Sequence, residues 1–300
     1  MKIAVGFIHG IGKQKPDFYE GMAAALASRM HEVCPEIELI SEGIYWADIT
    51  DELENKLIER MAPFGLRWDR AIDARGFMIS FAGDAIAYQP IPKEDDPKPH
   101  EFIYVDIHER FAGKLRSLSA RAGSDAPLCL IGHSLGTIVA SNYLYDLQNG
   151  KMPPRVQAII DSGGSPLERG ETLTHFYTMG SPIALWTMRF DGFGVPISIP
   201  APNLRHADVG EWVNFYDKDD IITYPLKTLS ARYDAAVAED VEVRNPGLFA
   251  WSPLGSHGGY YHAEEIMERI VRSLADMYGK SNSRDEIAAD RTGANLHTEE

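Results

Sequence analysis

The sequence has few cysteines and no long apolar run, and both absences exclude classes of protein. Only Cys34 and Cys129 occur among 300 residues, and Cys129 falls in the apolar run 127–131 that is typical of a buried strand. A structural disulfide is therefore not expected. No stretch approaches 18 apolar residues, which argues against a membrane-spanning helix. An apolar strand pattern begins almost at residue 1, so we expect no removable leader and a cytoplasmic location.

Clusters of lysine and arginine are also absent, although the chain is strongly charged. The formal net charge is -15, and no basic patch is present that would neutralise phosphates, so nucleic acid is not an expected partner. No strongly basic amphipathic helix indicates binding to a membrane surface. Hydrophobic residues make up 44% of the chain and charged residues 24%, which predicts a compact domain with a sizeable core. The oligomeric state cannot be derived from these numbers.

Short apolar runs alternate with helical patterns along the chain, which predicts an α/β fold with a mostly parallel central sheet flanked by helices. Strands are predicted over 2–8, 37–46, 128–131, 173–179, 211–216 and 241–244. Helices are predicted over 18–33, 102–118, 135–148 and 263–278. These elements form one domain over residues 1–279.

Three segments depart from this alternation. Residues 47–100 contain a helical pattern over 47–60 and a proline-rich, charged loop over 89–99, and they form a predicted insertion or cap before the strand at 128. Residues 183–210 are apolar but broken by glycine and proline, which predicts a lid-like loop. Residues 280–300 are polar without apolar periodicity and are predicted to be a mobile tail.

One motif carries the predicted chemistry. Gly132-His133-Ser134-Leu135-Gly136 follows an apolar strand and opens an apolar helix, which is the context of a G-x-S-x-G nucleophile elbow. The two glycines allow strand and helix to approach closely while Ser134 projects outward. Ser134 is therefore the predicted nucleophile.

A serine hydroxyl needs a histidine to accept its proton and an acid to orient that histidine. His257 lies in a glycine-rich loop before the last helix and is the predicted base, with His262 as the alternative. The acid should follow a strand, and the segment after 211–216 contains several carboxylates. Asp220 precedes an apolar continuation and is the predicted acid, with Asp219 as the alternative.

The tetrahedral intermediate of such a reaction needs two backbone N–H donors. One is expected from Leu135, the residue after the nucleophile. The other is expected from the loop after the first strand, His9-Gly10-Ile11-Gly12, whose glycines permit a turn that points an N–H inward. Ile11 is the predicted second donor.

The motifs at 7–12 and 132–136 resemble those of the α/β-hydrolase superfamily, in particular bacterial lipases and esterases. The resemblance is one of motifs spread from residue 3 to about 278, and it implies a nucleophile at Ser134, an acid at Asp220, a histidine at His257 and an oxyanion hole at Ile11 and Leu135. One departure is the insertion before the nucleophile strand, because the usual lid position in this superfamily corresponds to 183–210.

Together these features predict a serine hydrolase that cleaves small-molecule carboxylic esters through an acyl-enzyme intermediate, without a metal or an organic cofactor. A thioesterase, an amidase or an acyltransferase would use the same residues, and the sequence does not separate them. The alternative from another class is a non-catalytic binding protein that retains the fold.

Overall fold

The chain is built around one parallel β-sheet. The structure, a computed structural model, describes residues 1–64, 74–89, 100–202, 209–245 and 256–295. Six strands run in the order β2-β1-β3-β4-β5-β6, and every neighbouring pair is parallel. The strands are β1 Lys2–Ile8, β2 Glu38–Ile44, β3 Leu128–His133, β4 Leu173–Met179, β5 Glu211–Tyr216 and β6 Glu239–Glu242. The predicted α/β fold with a central parallel sheet is confirmed.

Nine helices lie in the described ranges: α1 Glu20–Val33, α2 Ala47–Met61, α3 Ala74–Ala87, α4 His100–Ala122, α5 Leu135–Gln148, α6 Pro154–Gly163, α7 Ile183–Thr187, α8 Ala231–Ala236 and α9 Glu264–Asn295. Within those same ranges, none of the helices combines the length and the apolar character that crossing a membrane requires.

The strands are buried because helices cover both faces of the sheet. Along β1, Ile3, Val5 and Phe7 point into a core formed with α1 and α9. The alternate residues Ala4 and Ile8 point into a second core formed with α4, α5 and α6. A strand with apolar partners on both faces is a continuous apolar run rather than an alternating one, which explains the sequence pattern.

Two of the segments that break the alternation of strands and helices contain more helix than the sequence indicates. The segment 183–210, predicted as a lid-like loop, begins with α7, in which Ile183 and Ala184 are buried and the Ile183 N–H donates to Ser181 Oγ. The polar segment 280–300, predicted as a tail, is helical as far as Asn295 because α9 continues through it. Residues 280–295 include no proline, and the helix continues through them although their sequence has no apolar stripe. Whether this segment is mobile stays a prediction.

The segment 47–100 holds α2 and α3, which pack between the loop after β1 and α4. The charged loop predicted over 89–99 lies outside the described residues from residue 90 onward, as do residues 203–208 of the segment 183–210.

Candidate active site

The turn between β3 and α5 has the backbone geometry of a nucleophile elbow. Ser134 adopts φ 53° and ψ -131°, a conformation that L-residues avoid unless the surroundings hold them in it. Its N–H donates to Met179 O at 2.9 Å, which ties the turn to the end of β4. A Cβ on Gly132 would lie 3.1 Å from Thr137 Cα, and one on Gly136 would lie 2.3 Å from His9 O. Strand, helix and the loop after β1 therefore approach one another as closely as glycine allows.

The sheet and the elbow define the fold. A parallel sheet, with a serine of positive φ between a central strand and the helix that follows it, is the α/β-hydrolase fold.

The structure brings the three predicted site residues together at the carboxyl edge of the sheet. His257 Nε2 lies 2.8 Å from Ser134 Oγ, and His257 Nδ1 lies 2.8 Å from Asp220 Oδ2. An ionised carboxylate only accepts, so Nδ1 carries the proton and Nε2 is left to accept from the serine hydroxyl. The imidazole is thus held in the tautomer that a general base requires.

Hydrogen bonds keep Asp220 ionised although it is buried. Burial raises the pKa of this carboxyl. The hydrogen bond from His257, the positive charge of that ring when it is protonated, the Ile222 N–H and the Tyr260 hydroxyl together bring the pKa below its ordinary value. The Ile222 N–H donates to Oδ1 at 3.0 Å and the Tyr260 hydroxyl donates to Oδ2 at 2.9 Å. An acid with all these donors remains a negative charge beside the imidazole at neutral pH.

Tyr260 is a site residue that the sequence did not reveal. Its hydroxyl accepts the Asp217 N–H at 3.0 Å while it donates to Asp220. Asp217 in turn accepts the N–H groups of Asp219 and Asn245 with its two carboxylate oxygens, at 2.9 and 2.8 Å. The loop after β5 is therefore fixed from both sides. The position of Tyr260, three residues after His257, was the only signal in the sequence.

The alternative residues are placed elsewhere. Asp219 is exposed, and its N–H bonds Asp217. His262 is exposed at the end of the 3₁₀ turn that begins at Tyr260, and its N–H donates to the Gly259 carbonyl. Neither side chain has a contact with Ser134 or His257 among the described residues.

His133, the variable residue inside the elbow motif, supports the histidine loop. Its Nε2–H donates to the His257 carbonyl at 2.8 Å. Burial, and to a smaller extent the neighbouring His257, lower the pKa of His133 to about 3, so this ring is neutral. A neutral ring with a fixed Nε2–H anchors the backbone of His257 without adding a charge to the site.

His9 organises the loop that follows β1. Its Nδ1–H donates to Gly10 O at 2.7 Å, and its Nε2 accepts the Trp46 N–H at 2.9 Å. The Trp46 indole N–H donates back to His9 O at 3.1 Å, and the two rings stack. Burial lowers the pKa of His9 to about 4, so the ring keeps this neutral tautomer. The loop is thus locked to the chain that follows β2.

This loop runs directly past the serine. A Cβ on Gly10 would lie 2.5 Å from Ser134 Cβ and 3.1 Å from Ser134 Oγ. No acceptor for the N–H groups of Ile11 or Leu135 is found among the described residues, and Leu135 is the first residue of α5, where N–H groups have no partner within the helix. Both predicted donors therefore belong to segments that meet at Ser134.

The segment 47–100 also supports the loop. The carboxyl group of Asp84 in α3 lies near the Gly12 N–H and near Thr50 and Glu54 of α2. Burial, and to a smaller extent the negative charge of Glu54, raise the pKa of Asp84 to about 7. Gly12 has φ 83° and so can place its N–H in a direction that other residues reach only under strain.

Comparisons with known proteins give only distant likeness. No protein-family model and no curated protein match the sequence. Solved structures that are similar include an esterase from Pyrobaculum calidifontis (9% identity, 92% of this chain and 76% of that chain, TM-score 0.40). Another is Est1E from Butyrivibrio proteoclasticus (10% identity, 92% of this chain and 88% of that chain, TM-score 0.38). A third is a fungal esterase from Rhizomucor miehei (13% identity, 93% of this chain and 76% of that chain, TM-score 0.37). At such scores the function of this chain has to be inferred from its own site.

Ser134 and His257 are both buried in this structure. Ser134 is 1% exposed and His257 is 7% exposed. A low-dielectric environment strengthens the hydrogen bonds among serine, histidine and acid.

Proposed function

We propose that the protein is a serine hydrolase that cleaves carboxylic esters through an acyl-enzyme intermediate. The observation that carries the proposal is the continuous pair of 2.8 Å contacts from Ser134 Oγ through His257 to Asp220, at a serine held with φ 53°. A nucleophile, a base in the correct tautomer and an orienting acid are the groups that acyl transfer requires.

In the proposed mechanism, Ser134 Oγ attacks the carbonyl carbon of the ester while His257 Nε2 takes its proton. The N–H groups of Ile11 and Leu135 bind the oxygen that becomes negative in the tetrahedral intermediate. The imidazolium then gives its proton to the departing alkoxide, which leaves as the alcohol. Water, deprotonated by His257, attacks the acyl-enzyme, and the carboxylic acid leaves as Ser134 recovers its proton. Asp220 stabilises the imidazolium in both halves and is not itself protonated.

The test is the hydrolysis of p-nitrophenyl esters of increasing chain length by the wild type and by Ser134→Ala. We expect activity in the wild type and a loss of at least about 10³-fold in the variant, with an unchanged thermal midpoint. Labelling by a small alkyl fluorophosphonate, located by peptide mass spectrometry, should modify Ser134 in the wild type alone. Labelling at another residue, or equal activity of the variant, would remove Ser134 from the mechanism.

Acyl transfer to an acceptor other than water is tested in the same assay. Addition of a primary alcohol or a thiol should leave the rate of p-nitrophenol release and the yield of free acid unchanged if water is the physiological acceptor. A large share of transfer product at low acceptor concentration would instead favour an acyltransferase.

A further inference from the structure

A second concave site lies beside α5, further along the helix than the serine. It is a cavity of about 550 Å³, and Ser134, His257 and Asp220 are not among its lining residues. One wall is a single face of α5, formed by Ile138, Ser141, Asn142 and Tyr145, whose spacing of three and four residues places them in a row. Residues 183–195 form the opposite side. A volume of this size matches the range of about 300–1,000 Å³ that small-molecule sites occupy.

More cationic than anionic side chains line the cavity, three against two. Lys151, Arg189 and Arg232 line it, and none of the three forms a salt bridge within the described residues. Two carboxylates also line it, Asp146 and Asp191. The cavity therefore has an excess of cations in a chain whose net charge is -15. Such a local excess favours an anionic ligand.

Arg189 is held in position by uncharged partners. Its guanidinium lies over the rings of Trp186 and Phe190, at 5.3 and 4.7 Å from their centroids. Its Nη1–H donates to Gln89 Oε1 at 3.0 Å. These contacts fix the planar group and leave further N–H donors for a ligand, and a guanidinium fork matches the two oxygens of a carboxylate.

Two neutral donors at the cavity are buried without an acceptor. The Trp186 indole N–H and the Asn142 amide nitrogen have no hydrogen-bond acceptor among the described residues, although the Asn142 amide lies near the Tyr88 hydroxyl. A buried donor without an acceptor destabilises the protein, and a ligand oxygen that reaches it would satisfy it. A ligand group with several acceptor atoms would therefore satisfy both the charged and the neutral donors.

The remaining walls are apolar or aromatic. Ile138, Ile183, Phe193 and Val195 contribute aliphatic and aromatic surface, and Phe193 and Val195 also stand exposed at its edge. Tyr104 lies on the side of α4, where its hydroxyl donates to Asp146 Oδ2 at 2.7 Å. Aromatic surface with a few polar groups is typical of sites for molecules that are apolar at one end and polar at the other.

We propose that this cavity binds a carboxylate-bearing molecule with an aromatic or branched apolar body, at a site separate from Ser134. The carboxylate pairs with Arg189 and accepts from the Trp186 N–H, and the body packs on Ile138 and Ile183. The binding does not depend on any reaction at Ser134.

Isothermal titration calorimetry of the full-length Ser134→Ala protein tests this, with 4-phenylbutanoate and its neutral match 4-phenylbutanamide as probes. We expect the acid to bind with one site per chain and the amide to bind at least about tenfold more weakly, because charge-assisted hydrogen bonds are worth more than neutral ones. Arg189→Gln should weaken binding of the acid about tenfold and leave the amide unchanged. Arg272→Gln, an exposed arginine on α9, is the matched control and should bind as the parent does.

A carboxylic acid is also the product of ester hydrolysis, so binding at Ser134 has to be distinguished from binding in the cavity. Wild-type protein whose Ser134 carries the fluorophosphonate label should bind 4-phenylbutanoate as well as unlabelled protein does. Loss of binding on labelling would place the acid at the active site and overturn the proposal. Equal affinity for acid and amide, no effect of Arg189→Gln, or no binding at millimolar concentration would also overturn it. The calorimetry with Ser134→Ala measures binding alone, so its result is valid even if the protein hydrolyses none of the esters.

Discussion

The hydroxyl oxygen of Tyr260 lies 2.9 Å from Oδ2 of Asp220, and the same carboxylate oxygen lies 2.8 Å from His257 Nδ1. One oxygen therefore receives two donors, and the phenol limits the directions in which the carboxylate can turn. Because the Tyr260 hydroxyl also accepts the Asp217 N–H at 3.0 Å, it links the acid to its own loop. We infer that Tyr260 is a positioning residue for Asp220.

Tyr260→Phe should lower kcat for ester hydrolysis about tenfold with little change in KM, since it removes one hydrogen bond of about 1–2 kcal/mol to a charged group. The pH profile of kcat/KM should shift on its acidic side, which a purely structural loss would not cause. Tyr261→Phe is the matched control, because the Tyr261 hydroxyl has no hydrogen-bond partner among the described residues. Equal effects of the two substitutions would show that Tyr260 only fills space.

Asp220→Asn should lower kcat by about 10³–10⁴, because an amide in place of the acid favours the wrong tautomer of His257. Asp219→Asn should keep the wild-type rate, because Asp219 is exposed and its contact to Asp217 uses its backbone N–H. Both rates are measured on one p-nitrophenyl ester at saturating concentration. An active Asp220→Asn protein together with an inactive Asp219→Asn protein would show that Asp219 is the acid.

Gly136→Ala should destabilise the protein by about 1–3 kcal/mol and abolish activity, because the added methyl would lie 2.3 Å from His9 O and 2.6 Å from Ile8 O. The backbone of the loop after β1 would have to move, and the expected Ile11 donor would move with it. Gly113→Ala in α4 is the control, since no atom lies within 4 Å of its Cβ position. That substitution should stabilise the helix by about 0.5–1 kcal/mol. Urea unfolding and ester hydrolysis measure both effects.

Asp84→Asn should make the protein relatively more stable at high pH. The pKa of Asp84 is raised from 3.8 to about 7, so between these values the folded protein holds a proton that the unfolded chain releases. The folded state binds more protons, and the free energy of unfolding therefore falls as pH rises through this window, by about 1.4 kcal/mol per pH unit at most. The amide cannot ionise and avoids this loss.

Urea unfolding of wild type and Asp84→Asn at pH 5 and pH 8 measures this effect as the difference between the two proteins. We expect the difference to shift in favour of the variant at pH 8. Asp219→Asn, on an exposed carboxyl, should show no such shift. A difference between wild type and Asp84→Asn that is equal at both pH values would mean that Asp84 is ionised in the folded protein at pH 5.

The sequence predicts most of the sheet because its strands are apolar runs with clear ends. The bounds of β1, β4 and β5 and those of α5 agree with the predicted ranges. The helix α3 was missed because its residues are apolar all round and show no stripe of spacing 3.6. The helix α6 was missed because it is short and begins with a proline, and only Val156 and Ile160 of its residues are buried.

The site was predictable where the chemistry lies in a local motif and not where it depends on distant contacts. Ser134, Asp220 and His257 could be chosen from strand ends and glycine-rich loops, and the structure brings all three together. Tyr260 and Asp84 carry no motif, since their roles depend on contacts with Asp220 and Gly12 that only the folded chain forms.

The 1% exposure of Ser134 has a kinetic consequence. If part of the chain has to move before a reagent reaches this hydroxyl, the rate of modification cannot exceed the rate of that opening. At high concentration, the observed rate of labelling by a reactive phosphonate should therefore reach a plateau that is the same for reagents of different intrinsic reactivity. The height of that plateau measures how often the protein uncovers its nucleophile.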